Sequence, residues 1–221
     1  MTTWDELRVI LIRLRDEQPG DLLVFPNPSR PEGQPPPYQI TLAPTAVAVA
    51  EDLHTRFGDS VELTVGALPY PPGRPPRRPP ITEPPAELLS PHQATVELDG
   101  PAVVRSGHTL RHALLLRNHS GDDLKIATTN GQLTTAVVDP ATGAVVGGFA
   151  GAQALSLITY RVAPGQTERI SLLTGTASFT PRLGYAVPAG SWGIQATLSL
   201  DGGSRDSPRR RTPVLALTIT A

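Results

Sequence analysis

The sequence predicts a mainly β protein, with a β-sandwich over the C-terminal part of the chain and a small α/β unit before it on a proline-rich linker. Three observations carry this expectation. Short runs of alternating apolar and polar residues, separated by Gly, Pro, Asn and Asp, recur from His92 to Ala221 with no helical period between them. Apolar residues at three- and four-residue steps occur only in two stretches before Gly58. Ten of the 23 residues from 69 to 91 are proline, too many for a helix or a central strand. The expected units are therefore an α/β domain at 1–68, a linker at 69–91 and a sandwich at 92–221.

In the first unit, Thr3 followed by Glu6 makes a capping box, and Trp4, Leu7, Ile10, Leu11 and Leu14 share a face, so Trp4 to Gln18 reads as an amphipathic helix. Pro19-Gly20 stops it. Asp21 to Phe25 and Tyr38 to Leu42 read as strands on either side of a proline-dense loop. Thr45 is placed to cap a second helix with Ala46, Val49, Ala50, Leu53 and Phe57 on its inner face, and Val61, Leu63 and Val65 alternate as a third strand. The order is αββαβ. A unit of this size buries only about 60% of its unfolded surface and is marginal without a neighbour. His54 falls off the apolar face and reads as solvent-exposed.

The linker, PYPPGRPPRRPPITEPPAELLSP, favours an extended polyproline conformation and could span about 70 Å at ~3.1 Å per residue. Its RPPRRPP run also suits aromatic grooves that read proline, although composition alone accounts for it.

The sandwich is organised around Val187 to Leu200, a Pro/Gly turn leading into a strand with Ile194, Ala196, Leu198 and Leu200 on one face and Gln195, Thr197 and Ser199 on the other. Further strands are expected at Ala94 to Leu98, Thr109 to Arg117, Leu124 to Ala127, Leu133 to Asp139, Ala144 to Phe149, Leu155 to Val162, Thr167 to Leu173 and Pro213 to Thr220. Trp192 is expected to clamp one end of the core.

Composition excludes several functional classes. The 221 residues contain no cysteine, which removes disulfides and thiolate metal sites. Charged residues run through the first apolar stretch and no later apolar run reaches membrane-spanning length, so a cytoplasmic, non-membrane protein is expected. Eighteen Arg against one Lys, with abundant Ala, Pro and Gly, suggest a GC-rich bacterial source. The formal net charge of −1 gives no general attraction for nucleic acid. The excess acid in 1–68 and excess base in 92–221 imply a weak mutual attraction, screened beyond about 8 Å.

No catalytic, cofactor or metal site emerges. Gly143, Gly147, Gly148 and Gly151 follow a hairpin turn and precede no helix, so they lack the amides of a phosphate cradle. His108 and His112 lie on a strand about 13 Å apart at ~3.3 Å per residue, too far for one metal. Ser106 and Ser191 lack a nucleophile elbow. Arg205, Arg209, Arg210 and Arg211 read as a solvated hairpin tip. One segment does invite a partner. Thr174 to Ala189 has no period, is long for a hairpin connection and carries Phe179, Arg182, Leu183 and Tyr185, residue types suited to protein contacts. The same side chains could instead close one end of the core.

Four stretches, Leu116-Arg117-Asn118-His119-Ser120, Val138 to Gly143, Val162 to Gln166 and Val187 to Trp192, resemble successive landmarks of the BsuPI-type intracellular proteinase inhibitor family. The resemblance covers about Arg105 to Leu200 and implies an immunoglobulin-like sandwich and a cytoplasmic serine protease as partner. It transfers no inhibitory residue; the αββαβ unit and the linker are not part of that pattern, and the TGTASFTPRLGYAVP segment has no counterpart in it. The expected function is a non-catalytic protein-interaction module, with protease inhibition as the specific activity implied. A structural or assembly component that docks through its α/β unit is the alternative, and an enzyme with a site between the domains is a third reading.

Overall fold

Helix α1 (Thr3–Glu17) opens with Asp5 and Glu6 in its first turn, where carboxylates complement the unpaired amides. Its Leu7, Ile10 and Leu11 are buried. Strand β1 (Tyr38–Leu42), helix α2 (Val47–Phe57), strand β2 (Val61–Val65) and strand β3 (Leu68–Tyr70) follow. The computed structural model describes residues 3–17, 38–74, 86–151, 156–200 and 208–221. β1 and β2 pair in parallel from Tyr38 opposite Val61 to Leu42 opposite Val65. A parallel pair requires a crossover, which α2 supplies. The core formed by the inner faces of α1, α2, β1 and β2 contains Leu7, Leu11, Ile40, Leu42, Ala50, Leu53, Leu63 and Val65.

Several expectations for this region need correction. Thr45 does not cap α2: it lies in a 3-10 turn, Pro44–Ala46, and no side chain caps the helix. The strand expected at 21–25 lies outside the described residues, as do residues 75–85 of the linker. β3 is an addition to the expected αββαβ order and occupies the start of the linker, pairing antiparallel with β2. At the linker's other end, Ala86 and Leu89 are buried and strand β4 (Glu87–Leu88) joins the larger sheet.

The remaining strands are β5 (Ala94–Leu98), β6 (Val103–Arg105), β7 (Thr109–Asn118), β8 (Leu124–Thr129), β9 (Gln132–Val138) and β10 (Val145–Gly148). They continue as β11 (Leu157–Val162), β12 (Thr167–Gly175), β13 (Ala177–Ser178), β14 (Gly190–Leu200), β15 (Arg209–Arg211) and β16 (Leu215–Thr220). The protein is mainly β. One layer is β5–β7–β12, antiparallel throughout. The other is β11–β8–β14–β16, with β6 added in parallel to β16.

β9 serves both layers. Its first half runs parallel to β12, with Gln132 opposite Ser171, and its second half runs antiparallel to β14, with Val138 opposite Gly193. Leu114, Leu116, Ile170 and Leu172 from one layer share a core with Ile126, Ile194, Leu198, Leu217 and Ile219 from the other. β14 has the expected alternation, with Ile194, Ala196, Leu198 and Leu200 buried and Gln195, Thr197 and Ser199 half-exposed.

The end of β7 is fixed by a buried asparagine. Asn118 Nδ2 donates to the carbonyls of Val162 and Asp122, both at 2.8 Å. Its Oδ1 accepts from the Ser120 amide at 2.9 Å and from the Ser120 hydroxyl at 2.7 Å. One fully buried side chain therefore joins the end of β7, the following bend and the end of β11.

Candidate interaction surface

The segment expected to be a long loop is folded back on the sandwich. β12 extends to Gly175, and β13 follows within two residues to pair with β10, Gly147 opposite Ser178 and Gly148 opposite Ala177. Gly147 permits this approach, since a Cβ there would stand 2.5 Å from Val187 Cγ2. Thr174, Thr176 and Ser178 are buried with their hydroxyls bonded: Thr174 accepts from Thr135 at 2.7 Å, Thr176 donates to the His108 carbonyl at 2.9 Å, and Ser178 donates to the Thr180 carbonyl at 2.8 Å. A 3-10 turn, Pro181–Leu183, and a bridge from Ala177 to Ala186 complete the fold-back. The Val187 amide returns to the Thr176 carbonyl at 2.8 Å.

The four candidate contact residues have three different environments. Leu183 is half-buried against the sandwich core. Tyr185 is half-buried against the other core, that of the α/β unit. Phe179 is 42% exposed and Arg182 is exposed. The Phe179 amide donates to the Val146 carbonyl at 2.9 Å, and the ring lies over Gly148.

Tyr185 forms the seam between the two cores. Its hydroxyl donates to the Pro69 carbonyl at 3.3 Å, and its ring centroid is 6.1 Å from that of Tyr70. Burial, followed by the neighbouring Tyr70 hydroxyl, raises the Tyr185 pKa above its ordinary value. Gly66 completes the fit, because a Cβ there would come within 3.1 Å of Ala177 Cβ and 3.3 Å of the Tyr185 carbonyl oxygen. His54 joins from α2, edge-on to Tyr70 at 5.9 Å, with Nδ1 buried and without a hydrogen-bond partner. It is therefore not the solvent-exposed residue expected from its helical position. Tyr70, the residue that covers it, lies in a stretch expected to be linker. The cavity along this seam, between Leu42 and Pro44 on one side and His108 and Thr176 on the other, holds about 40 Å³, room for one or two waters.

A larger open groove of about 700 Å³ lies over the outward side chains of β8, β9 and β14. Thr129, Gln132, Gln195, Thr197 and Ser199 line it together with Phe149 and Phe179, and Arg209 is the single charged residue of the described lining. The outward positions of β14 follow from its period-two pattern, but the groove they help to form does not. The needed signal was that the outward residues of β8 and β9 and of the distant β14 are mostly hydroxyl or carboxamide.

The other candidates have structural surroundings. His112 Nε2 lies 3.1 Å from the Gly100 carbonyl, while His108 precedes β7. Ser106 donates to the Val187 carbonyl at 2.7 Å. Arg209, Arg210 and Arg211 form β15 rather than a solvated tip, with Arg210 3.1 Å from Glu87 and Arg211 Nε donating to the Ala86 carbonyl at 2.9 Å. Arg205 lies outside the described residues. Trp192 is half-buried and donates to the Pro188 carbonyl at 2.9 Å, so it covers the core edge without being enclosed by it. Among the described residues, no three His, Asp or Glu side chains gather to hold a metal, and no helix is long and apolar enough to cross a membrane.

No protein-family model and no curated protein matches the chain. Solved structures similar to parts of it include the CARDB domain of a Pyrococcus furiosus protein in complex with di-metal ions, at 14% identity and TM-score 0.28 over 57% of this chain and 91% of that one. The Bacillus subtilis sporulation control protein Spo0M is similar at 9% identity and TM-score 0.30 over 58% and 50%. PapD-like domain 7 of human CEP192 is similar at 16% identity and TM-score 0.26 over 65% and 97%. Superpositions at this level carry no argument about function, and the mainly β architecture stands on the chain's own strands.

Proposed function

We propose that the chain is a non-catalytic protein-interaction module of immunoglobulin-like type, acting in the cytoplasm, with Phe179 and Arg182 as its principal contacts. One observation carries this reading: within a single short segment, Leu183 and Tyr185 are anchored in two different cores while Phe179 and Arg182 face solvent. An aromatic and an arginine held by such anchors lose little entropy on binding, and these residue types dominate interface energies. Leu183 and Tyr185 thus position the contacts.

The class of partner follows from the resemblance to the BsuPI-type inhibitors, which gives a cytoplasmic serine protease. In support, the four resembling stretches coincide with the β7 end, the β9–β10 and β11–β12 turns and the entry to β14. The two-layer strand arrangement supports the immunoglobulin-like class.

The test is titration of purified cytoplasmic serine proteases with the full chain. Stoichiometric loss of protease activity is expected, with affinity falling about thirtyfold in Phe179→Ala/Arg182→Ala, the equivalent of ~2 kcal/mol, at unchanged Tm. If no protease is inhibited and none forms a complex resolvable by gel filtration, the inhibitor reading is wrong.

A further inference from the structure

The groove over β8, β9 and β14 shares Phe179 with the exposed tip but excludes Arg182, and most of its lining is chemically different. Its volume of about 700 Å³ is in the range of small-ligand sites, ~300–1,000 Å³. Some lining groups are already committed: the Thr128 hydroxyl donates to the Ile158 carbonyl at 2.9 Å, and the Thr135 hydroxyl donates to Thr174 at 2.7 Å. Gln195 Nε2 donates to the Thr212 carbonyl at 2.8 Å, which leaves its Oε1 as an oriented acceptor. In contrast, the side-chain polar groups of Thr129, Gln132, Thr197 and Ser199 have no hydrogen-bond partner within the described protein. They are half-buried on strands, so their positions are held by the sheet.

Three features restrict the ligand. The described lining contains no carboxylate, which disfavours cations, and only one charged side chain, which gives little basis for binding a polyanion. β8, β9 and β14 each have strand partners on both edges, and the stretches left unpaired between them are only a few residues long, too short a ladder for an extended peptide to join as a strand. What remains is a field of neutral donors and acceptors with two phenylalanines in the same lining. That set suits a ligand with many hydroxyls on one face and apolar C–H groups on the other.

We propose that the groove over β8, β9 and β14 is a binding site for a neutral oligosaccharide, with Thr129, Gln132, Thr197 and Ser199 exchanging hydrogen bonds with its hydroxyls. The site goes beyond the protein-contact reading, and its key residues are separate from Arg182 and Tyr185.

The experiment is an amide NMR titration of the full chain with four neutral probes: the hexasaccharides of β-1,4-glucose, α-1,4-glucose, β-1,4-mannose and β-1,4-N-acetylglucosamine. Saturable shifts are expected with at least one probe, centred on Thr129, Gln132, Thr197 and Ser199. Thr197→Val keeps the side-chain shape and suits a strand, so it should leave Tm unchanged while weakening affinity about fivefold to tenfold, the value of one net hydrogen bond. Ser199→Ala provides a second, independent readout. The proposal is overturned if no probe gives saturable shifts, if the shifts centre elsewhere, or if both variants bind with unchanged affinity. Binding confined to acidic sugars and lost in Arg209→Gln also overturns it, because the recognised feature would then be charge. An Arg182→Ala chain that loses affinity for a protease but still binds the sugar separates this site from the protein contact, because Arg182 lies outside the groove lining while Phe179 is part of it.

Discussion

The Tyr185 hydroxyl donates to the Pro69 carbonyl, so a side chain from the sandwich's fold-back segment closes the core of the α/β unit. The contact is tight on both sides, with Gly66 leaving only enough space for Ala177 and the Tyr185 backbone. A unit whose own surface burial is marginal gains an aromatic ring from its neighbour.

Replacing Tyr185 with alanine should cost about 2 kcal/mol, below the ~3–5 kcal/mol of a fully buried aromatic because the ring is half-exposed. Tyr185→Phe should cost only about 1 kcal/mol, the value of the lost hydrogen bond. Urea unfolding gives both values. Hydrogen exchange should accelerate in β3 and around β13 in the alanine variant, and unchanged exchange there would show that the seam is energetically idle.

The raised Tyr185 pKa makes the seam sensitive to alkali. The folded chain holds the neutral phenol more strongly than the unfolded chain does, so this contribution is complete below the ordinary value of 10.0. It is lost as pH rises through the higher folded-state value. Stability should therefore fall above pH ~10 and fall less steeply in Tyr185→Phe. Matched Tm profiles for the two chains between pH ~8 and ~11 would contradict the assignment.

Gly147→Ala places a Cβ against the Ala177 backbone and Val187, both of which are held by hydrogen bonds or core packing. Relief requires β10 to move from β13, at a cost of about 3 kcal/mol. The urea midpoint should drop accordingly, with the loss of order concentrated around Phe179.

Asn118→Ala removes the donor to the Val162 carbonyl and leaves a small cavity at the end of β7. A cost of about 3 kcal/mol is expected, since an orphaned buried polar group loses its partner and its water together. Near-neutral behaviour in thermal unfolding would mean that solvent readily reaches the β11 end.

Strands with period two were legible because one face of each is core. β5 occupies the residues expected for it, and the ends of β7 and β14 differ from expectation by only a residue or so. β15 was not legible because three consecutive arginines carry no alternation, although their backbone pairs with β14 and their side chains reach Glu87 and Ala86. The Thr174 to Ala189 segment resembled a loop because its buried side chains are mostly hydroxyls. Their burial depends on partners such as Thr135 and the His108 carbonyl, which only the tertiary fold brings near. The position of Tyr185 was hidden for a related reason, since sequence pattern describes each unit's own face and not the face it offers its neighbour.

The separation of 116 residues between Pro69 and Tyr185 also sets an order of events during synthesis. At ~5–20 residues per second, the α/β unit spends roughly 6–23 seconds outside or within the ribosome before the ring that closes its core has been made. For that interval Tyr70 and the β2–β3 edge lack their cover, and nascent-chain aggregation or chaperone capture should concentrate on chains halted before Tyr185. Release from such capture should coincide with emergence of β13 and the turn that follows it.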